Sequence, residues 1–177
     1  MSAPGTDLSI AERDFQPVPA ADRRRPARVP NVSTRLYIDR VAEHKDVFDF
    51  VREIDLHGEG TKTIVRSLLH YRDTVIGSNG SPLAPEVALR DFRAIPRDQR
   101  PTEPVKPKGL SARLYIDKWR EHREAFEFLR RMQEMHGDGG KTLVRALLHY
   151  RDTIVRPREE AQGGQLTLDA PGLRPRR

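Results

Sequence analysis

The chain has 177 residues, of which 36% are hydrophobic and 33% charged; its net charge is +6, its pI about 10.0, and it contains no cysteine. These values imply a modest core under a highly charged surface, exclude disulfides and cysteine-ligated metals, and fit a reducing cytoplasm. No apolar run approaches the roughly eighteen residues of a membrane span, the N-terminus lacks a signal-peptide pattern, and the basic balance favours an anionic partner, nucleic acid foremost.

Residues 1–32 are rich in proline and arginine, including "DRRRPAR" (Asp22–Arg28), and are expected to form a disordered basic N-terminal arm. The first folded unit covers residues 33–76. In "TRLYIDR" the apolar Leu36 and Ile38 alternate with Arg35, Tyr37 and Asp39, the period-two pattern of a half-buried strand. Val41, Val47, Phe48, Val51 and Ile54 then recur at helical spacing, which predicts an amphipathic helix of about fifteen residues with Asp39 as its N-cap. A glycine turn, "HGEGTKT", leads into a second helix marked by Ile64, Val65, Leu68, Leu69 and Val75, with Thr61 placed to cap it.

Residues 77–110 hold Pro82, Pro85, Pro96, Pro101, Pro104 and Pro107 and read as an extended linker, with a short helix allowed at Pro85–Phe92. At about 3 Å per residue such a linker easily brings its two ends together. Residues 111–155 then repeat the first unit. Leu114 and Ile116 face inward in the strand, and Asp117 precedes a helix carrying Trp119, Ala125, Phe126, Leu129 and Met132. The turn "HGDGGKT" follows, and the last helix carries Leu143, Val144, Leu147, Leu148 and Ile154. Residues 156–177, ending in "RPRR", are expected to be a second disordered basic tail.

Of 44 aligned positions in the two units, 25 are identical, which marks a duplication. Two separated copies do not make a solenoid, whose repeats abut and number about three or more. A unit of this size has too little core to fold alone, so each copy needs a partner, and the chain supplies one.

Strand, helix, glycine turn, helix, beginning at "RLYID" in both copies, resembles the ribbon-helix-helix family of Arc and MetJ type. The resemblance covers both repeats and none of the tails. It implies a mainly α fold with a short two-stranded antiparallel β-ribbon, two ribbon-helix-helix units forming an intramolecular pseudo-dimer, and a ribbon that enters the DNA major groove. The tandem arrangement is similar to relaxosome accessory proteins of conjugative plasmids. The first helix departs from the family by about one extra turn.

On that reading Arg35, Tyr37, Arg113 and Tyr115 face outward and are the base-reading candidates. Arginine donates twice to guanine, although each is also open to phosphate contact, and the tyrosines are equally suited to cross-strand packing. Ser33, Thr34 and Ser111 are lesser candidates for DNA contact. Asp39 and Asp117 suit capping better than reading cytosine. The start of the second helix, with Thr61, Lys62 and Thr63 in one copy and Gly140, Lys141 and Thr142 in the other, offers amides and cations to DNA phosphate. "GDGGKT" ends like a Walker A loop, but Met135 stands where that motif needs its first glycine, and the turn follows a helix, so nucleotide binding is rejected. In "LLHYRDT", present at Leu68–Thr74 and Leu147–Thr153, the polar residues point in different directions around one helix, and His70 and His149 suit an interface better than catalysis.

No catalytic residue, metal site or cofactor is expected, and no zinc-ligand spacing links the histidines. The first repeat is about neutral to slightly acidic and the second slightly basic, so the positive excess sits in linker and tails, as arms suited to the DNA backbone or minor groove. The expected partners are double-stranded DNA and other copies of the chain on DNA, with no membrane and no small-molecule substrate. The function expected is sequence-specific DNA binding as a transcriptional repressor or a plasmid partition or transfer accessory protein, in bacterial cytoplasm at nucleoid or plasmid. A nearly palindromic site is expected, with mild asymmetry from Thr34/Ala112 and Val41/Trp119. The alternative is a non-enzymatic helical scaffold for other proteins, in which the RLYID segments start helices.

Overall fold

A computed structural model describes residues 9–77, 82–137 and 139–168. Strands β1 (Asn31–Leu36) and β2 (Lys108–Arg113) pair antiparallel with Ser33 opposite Ser111. These serines occupy the same position in the two repeats, so the ladder is symmetric about them. Val32, Leu36, Leu110 and Ala112 are buried on the inner face. Asn31, Ser33, Arg35, Ser111 and Arg113 are exposed on the other.

The ladder lies further toward the N-terminus than the RLYID repeats suggested. The amides of Arg40 and Val41 both donate to the carbonyl of Tyr37, a turn that ends β1 at Leu36. Tyr37, Ile38 and Asp39 therefore lie in the turn, as do Ile116 and Asp117 in the second copy. An antiparallel pair centred on residues 33 and 111 reaches Leu36 only if its partner extends back to Lys108, so residues before the repeat complete the ribbon. The RLYID segments do not start helices, contrary to the scaffold alternative.

The helices are α1 (Ala42–Asp55), α2 (Gly60–Tyr71), a short α3 (Pro85–Ala88), α4 (Arg120–His136), α5 (Gly139–Tyr150) and α6 (Arg156–Leu168). Neither Asp39 nor Asp117 caps a helix: Val41 and Trp119 hold the N-cap positions. Glu59 is the N-cap of α2, which places Thr61 inside the helix. Gly58 and Gly137 take φ of 70° and 67°, the left-handed conformation that lets the chain leave α1 and α4.

The two repeats share one core. α2 packs on α5 and α4, and α1 packs on α5. Val47, Val65, Leu68, Leu69, Val75, Ala125, Leu143, Val144 and Leu147 are wholly or almost wholly buried there, beneath Leu36 and Leu114. Phe50 and Phe128, absent from the helical pattern read above, are buried as well. The two LLHYRDT segments meet where α2 crosses α5. His70 and His149 stack with ring centroids 5.2 Å apart, and each Nε2 lies close to a threonine hydroxyl of the other repeat, at 2.9 Å from Thr153 and 3.0 Å from Thr74. Both hydroxyls donate to a carbonyl of their own helix, so each accepts its imidazole N–H. Beyond the crossing, Arg72–Ile76 and Arg151–Val155 continue as π-helical turns.

The segments expected to be disordered are ordered over much of their length. Ile10, Ala11, Val18 and Ala88 are buried. "IAERDFQPVP" (Ile10–Pro19) matches "VALRDFRAIP" (Val87–Pro96), so the duplication begins earlier than residue 33. Each of these segments braces the opposite repeat. The Arg93 carbonyl accepts from the Ala42 amide at 2.9 Å, and the Gln16 carbonyl accepts from the Arg120 amide at 2.9 Å. These bonds satisfy helix-start donors that were assigned to aspartate caps. Glu43 takes the Arg93 amide at 2.7 Å and its guanidinium at 3.0 Å, while Glu121 takes the Gln16 amide at 2.8 Å. Phe15 packs edge-on to His122 and Phe92 edge-on to His44, each at 5.5 Å, and Arg66 and Arg145 cover the same two rings at 5.5 Å. The expected tail at 156–177 is likewise helical as far as Leu168; the terminal "RPRR" lies outside the described residues. Among the described residues no helix is long and apolar enough to cross a membrane.

Candidate nucleic-acid interface

Arg35 and Arg113 are exposed on the outer ribbon face, the side predicted from alternation. They lie toward opposite ends: Arg113 is opposite Asn31, and Arg35 is opposite Gly109. Four residue steps separate them, about 13 Å at the strand rise, or about four steps along DNA at 3.4 Å. Between them sit only Ser33 and Ser111, which leaves a low, polar centre.

Tyr37 and Tyr115 are not part of the ladder. They lie in the turns after β1 and at the end of β2, 37% and 38% exposed, and at opposite ends of the ribbon, so they do not pack on each other across the strands. Each is tied to a histidine instead. The Tyr37 amide donates to His44 Nδ1 at 2.9 Å and the Tyr115 amide to His122 Nδ1 at 3.0 Å. An imidazole accepts this bond only when neutral. Burial holds both histidines below their ordinary pKa, against the opposing pull of Glu43 and Glu121. The turn that aims the ribbon thus hangs on the first helix of the same repeat. Thr34, another candidate, turns inward and is half-buried, and Ala112 is buried, so their difference is not presented on the outer face.

The second-helix starts flank the ribbon, each beside the strand of the other repeat. A side chain at Gly140 would collide with the Thr34 hydroxyl, so α5 begins hard against β1. Gly60 and Thr61 share a hollow of about 490 Å³ with Gly109, Leu110 and Ser111. First-turn amides have no intrahelical acceptor and favour an anion. Lys141 is exposed, while Thr61, Lys62, Thr63 and Gly140 are half-buried. Thr142 is only 1% exposed and is removed from the phosphate candidates. The Gly139 amide is already bonded to Gln133 Oε1 at 2.8 Å.

Asn31 and Gly109, the outermost positions of the exposed face, were missed. They stand before the repeats as first aligned, and their difference hides their equivalence. Extending the strand alternation back two residues from Ser33 and Ser111 would have found them. Among the described residues no cluster of three His, Asp or Glu side chains forms a metal site. Comparison with protein-family models, curated proteins and solved structures finds no match.

Proposed function

We propose that the chain is a ribbon-helix-helix pseudo-dimer made from one polypeptide, which binds double-stranded DNA sequence-specifically by laying β1 and β2 in the major groove. Within that class its role is that of a transcriptional repressor or a plasmid partition or transfer accessory protein. The observation that carries this reading is the antiparallel pairing of β1 with β2, centred on equivalent serines, with Arg35 and Arg113 on the exposed face. A two-stranded ribbon fits the width of the major groove, and arginine is the commonest reader of guanine there. The flanking helix starts, through the first-turn amides at Thr61 and Lys62 in α2 and at Gly140 and Lys141 in α5, suit phosphates on either side of the ribbon.

The test is fluorescence anisotropy with fragments from the gene's own neighbourhood and with scrambled duplexes, over a salt series. Preferred binding to one fragment is expected, weakening with salt by about 0.9 log units per phosphate contact for each log unit of salt. Arg35→Ala or Arg113→Ala is expected to lose about tenfold to a hundredfold on that fragment, with an unchanged circular dichroism spectrum. Equal binding to all duplexes at low salt would sink the proposal.

A further inference from the structure

We infer that the DNA site has a direction: the protein seats in one orientation on a non-palindromic sequence, reading an extra base at the Asn31 end that it does not read at the other. This inference rests on the ribbon reading DNA, as proposed above.

The exposed face is symmetric at its centre and asymmetric at its ends. Ser33 and Ser111 match, and so do Arg35 and Arg113, but the third pair is Asn31 and Gly109. Because the strands run antiparallel, Asn31 stands beside Arg113, while Arg35 stands beside the bare backbone of Gly109. One end therefore offers a guanine reader and an adenine reader together, since the asparagine amide donates to and accepts from the adenine edge. The other end offers the guanine reader alone.

A second asymmetry coincides with the first. The eight residues leading into β1, 23–30, carry Arg23, Arg24, Arg25 and Arg28, all exposed, and no acid. The eight at the same spacing in the second copy, 101–108, carry Lys106 and Lys108 against Glu103. Each lead-in joins the ribbon at the start of its own strand, so the arginine-rich one reaches the DNA at the Asn31 end. The second-helix starts do not offset this bias: Asp55 borders one, and Glu134, paired with Arg130 at 3.7 Å, borders the other. Base reading and backbone attraction thus concentrate at the same end.

The experiment selects preferred sites for the full chain from a pool of randomised duplexes, then footprints the selected site with hydroxyl radicals. Two guanines on opposite strands are expected, with an adenine preference beside one of them only and protection reaching further on that side. Asn31→Ala is expected to erase the adenine preference and lose about tenfold to a hundredfold in affinity. Gly109→Asn is expected to add an adenine preference on the second side. The added side chain fits, because a Cβ at Gly109 meets nothing within 4 Å. A palindromic consensus protected equally on both sides, unaltered by Asn31→Ala, overturns the direction while leaving DNA binding in place. Enrichment of no sequence at all overturns both.

Discussion

The bracing segments give the sharpest stability prediction, because the sequence pattern alone made them disordered. Replacing Phe15 by alanine removes a half-buried ring held between His122 and Arg66, both 5.5 Å away. A fully buried phenylalanine truncated to alanine costs about 3–5 kcal/mol, and partial exposure reduces this to about 1.5–2. The edge-on aromatic contact adds about 0.5–1 kcal/mol, and the cation–π contact about 0.5. The expected loss is therefore about 2.5–3.5 kcal/mol, a large share of the 5–15 kcal/mol typical of a domain. In urea unfolding followed by circular dichroism, with a slope of about 2 kcal/mol/M, the midpoint should fall by about 1–2 M. Phe92→Ala should act alike through His44 and Arg145, and the double variant should be additive because the two rings share no partner. A midpoint unchanged in both single variants would mean that the segments do not brace the fold, and would refute the reasoning.

Three further predictions follow from the same contacts. Glu43 holds the Arg93 guanidinium at 3.0 Å, whereas Gln16, the equivalent of Arg93, instead accepts from Arg120 at 3.0 Å and leaves buried Glu121 Oε1 without a hydrogen-bond partner, so Arg93→Gln should destabilise the protein by about 1 kcal/mol in the same unfolding assay. His44, His70, His122 and His149 all have pKa values lowered chiefly by burial, so the unfolded chain binds more protons once pH falls through about 6.5. Stability should be full above that value and decline toward pH 5; a melting temperature that rises on acidification would contradict this. Burial alone would raise the Glu43 carboxyl, but the Arg93 amide and guanidinium hold it below its ordinary value. Its contribution is present above pH 4.5 and lost below it, so Glu43→Gln should flatten the acid limb of the melting curve, and should steepen the decline below pH 6.5 because His44 loses the charge that opposes its burial.

Where pattern is strong, the sequence was informative. The helical spacing of Val47, Val51, Leu68 and Leu69, and of their counterparts, places them in the core the structure shows. The alternation around Leu36 gives a strand, and its outward arginines are outward in the fold. Element bounds were less legible, for a physical reason. Identity between repeats extends over strand end, turn and helix start alike, so RLYID marked a junction. The ladder's other half was supplied by Asn31–Thr34 and Lys108–Leu110, which the repeats hardly share. The bracing segments were missed because only Ala11, Arg13, Asp14, Phe15 and Pro19 recur among their ten residues, in stretches whose proline and charge read as linker. Their order comes from long-range backbone pairing with Arg40, Ala42, Lys118 and Arg120, which no local pattern announces.

The central claim is that Arg35 and Arg113 meet base edges in the major groove. Methylation interference on the selected DNA site tests it most directly, because dimethyl sulfate modifies guanine N7 in the major groove and adenine N3 in the minor groove. Methylation of two guanines about four base pairs apart on opposite strands should abolish binding, and Arg35→Ala and Arg113→Ala should each make one of them indifferent. Binding that survives guanine N7 methylation throughout the site, or that fails only on adenine N3 methylation, would contradict the account.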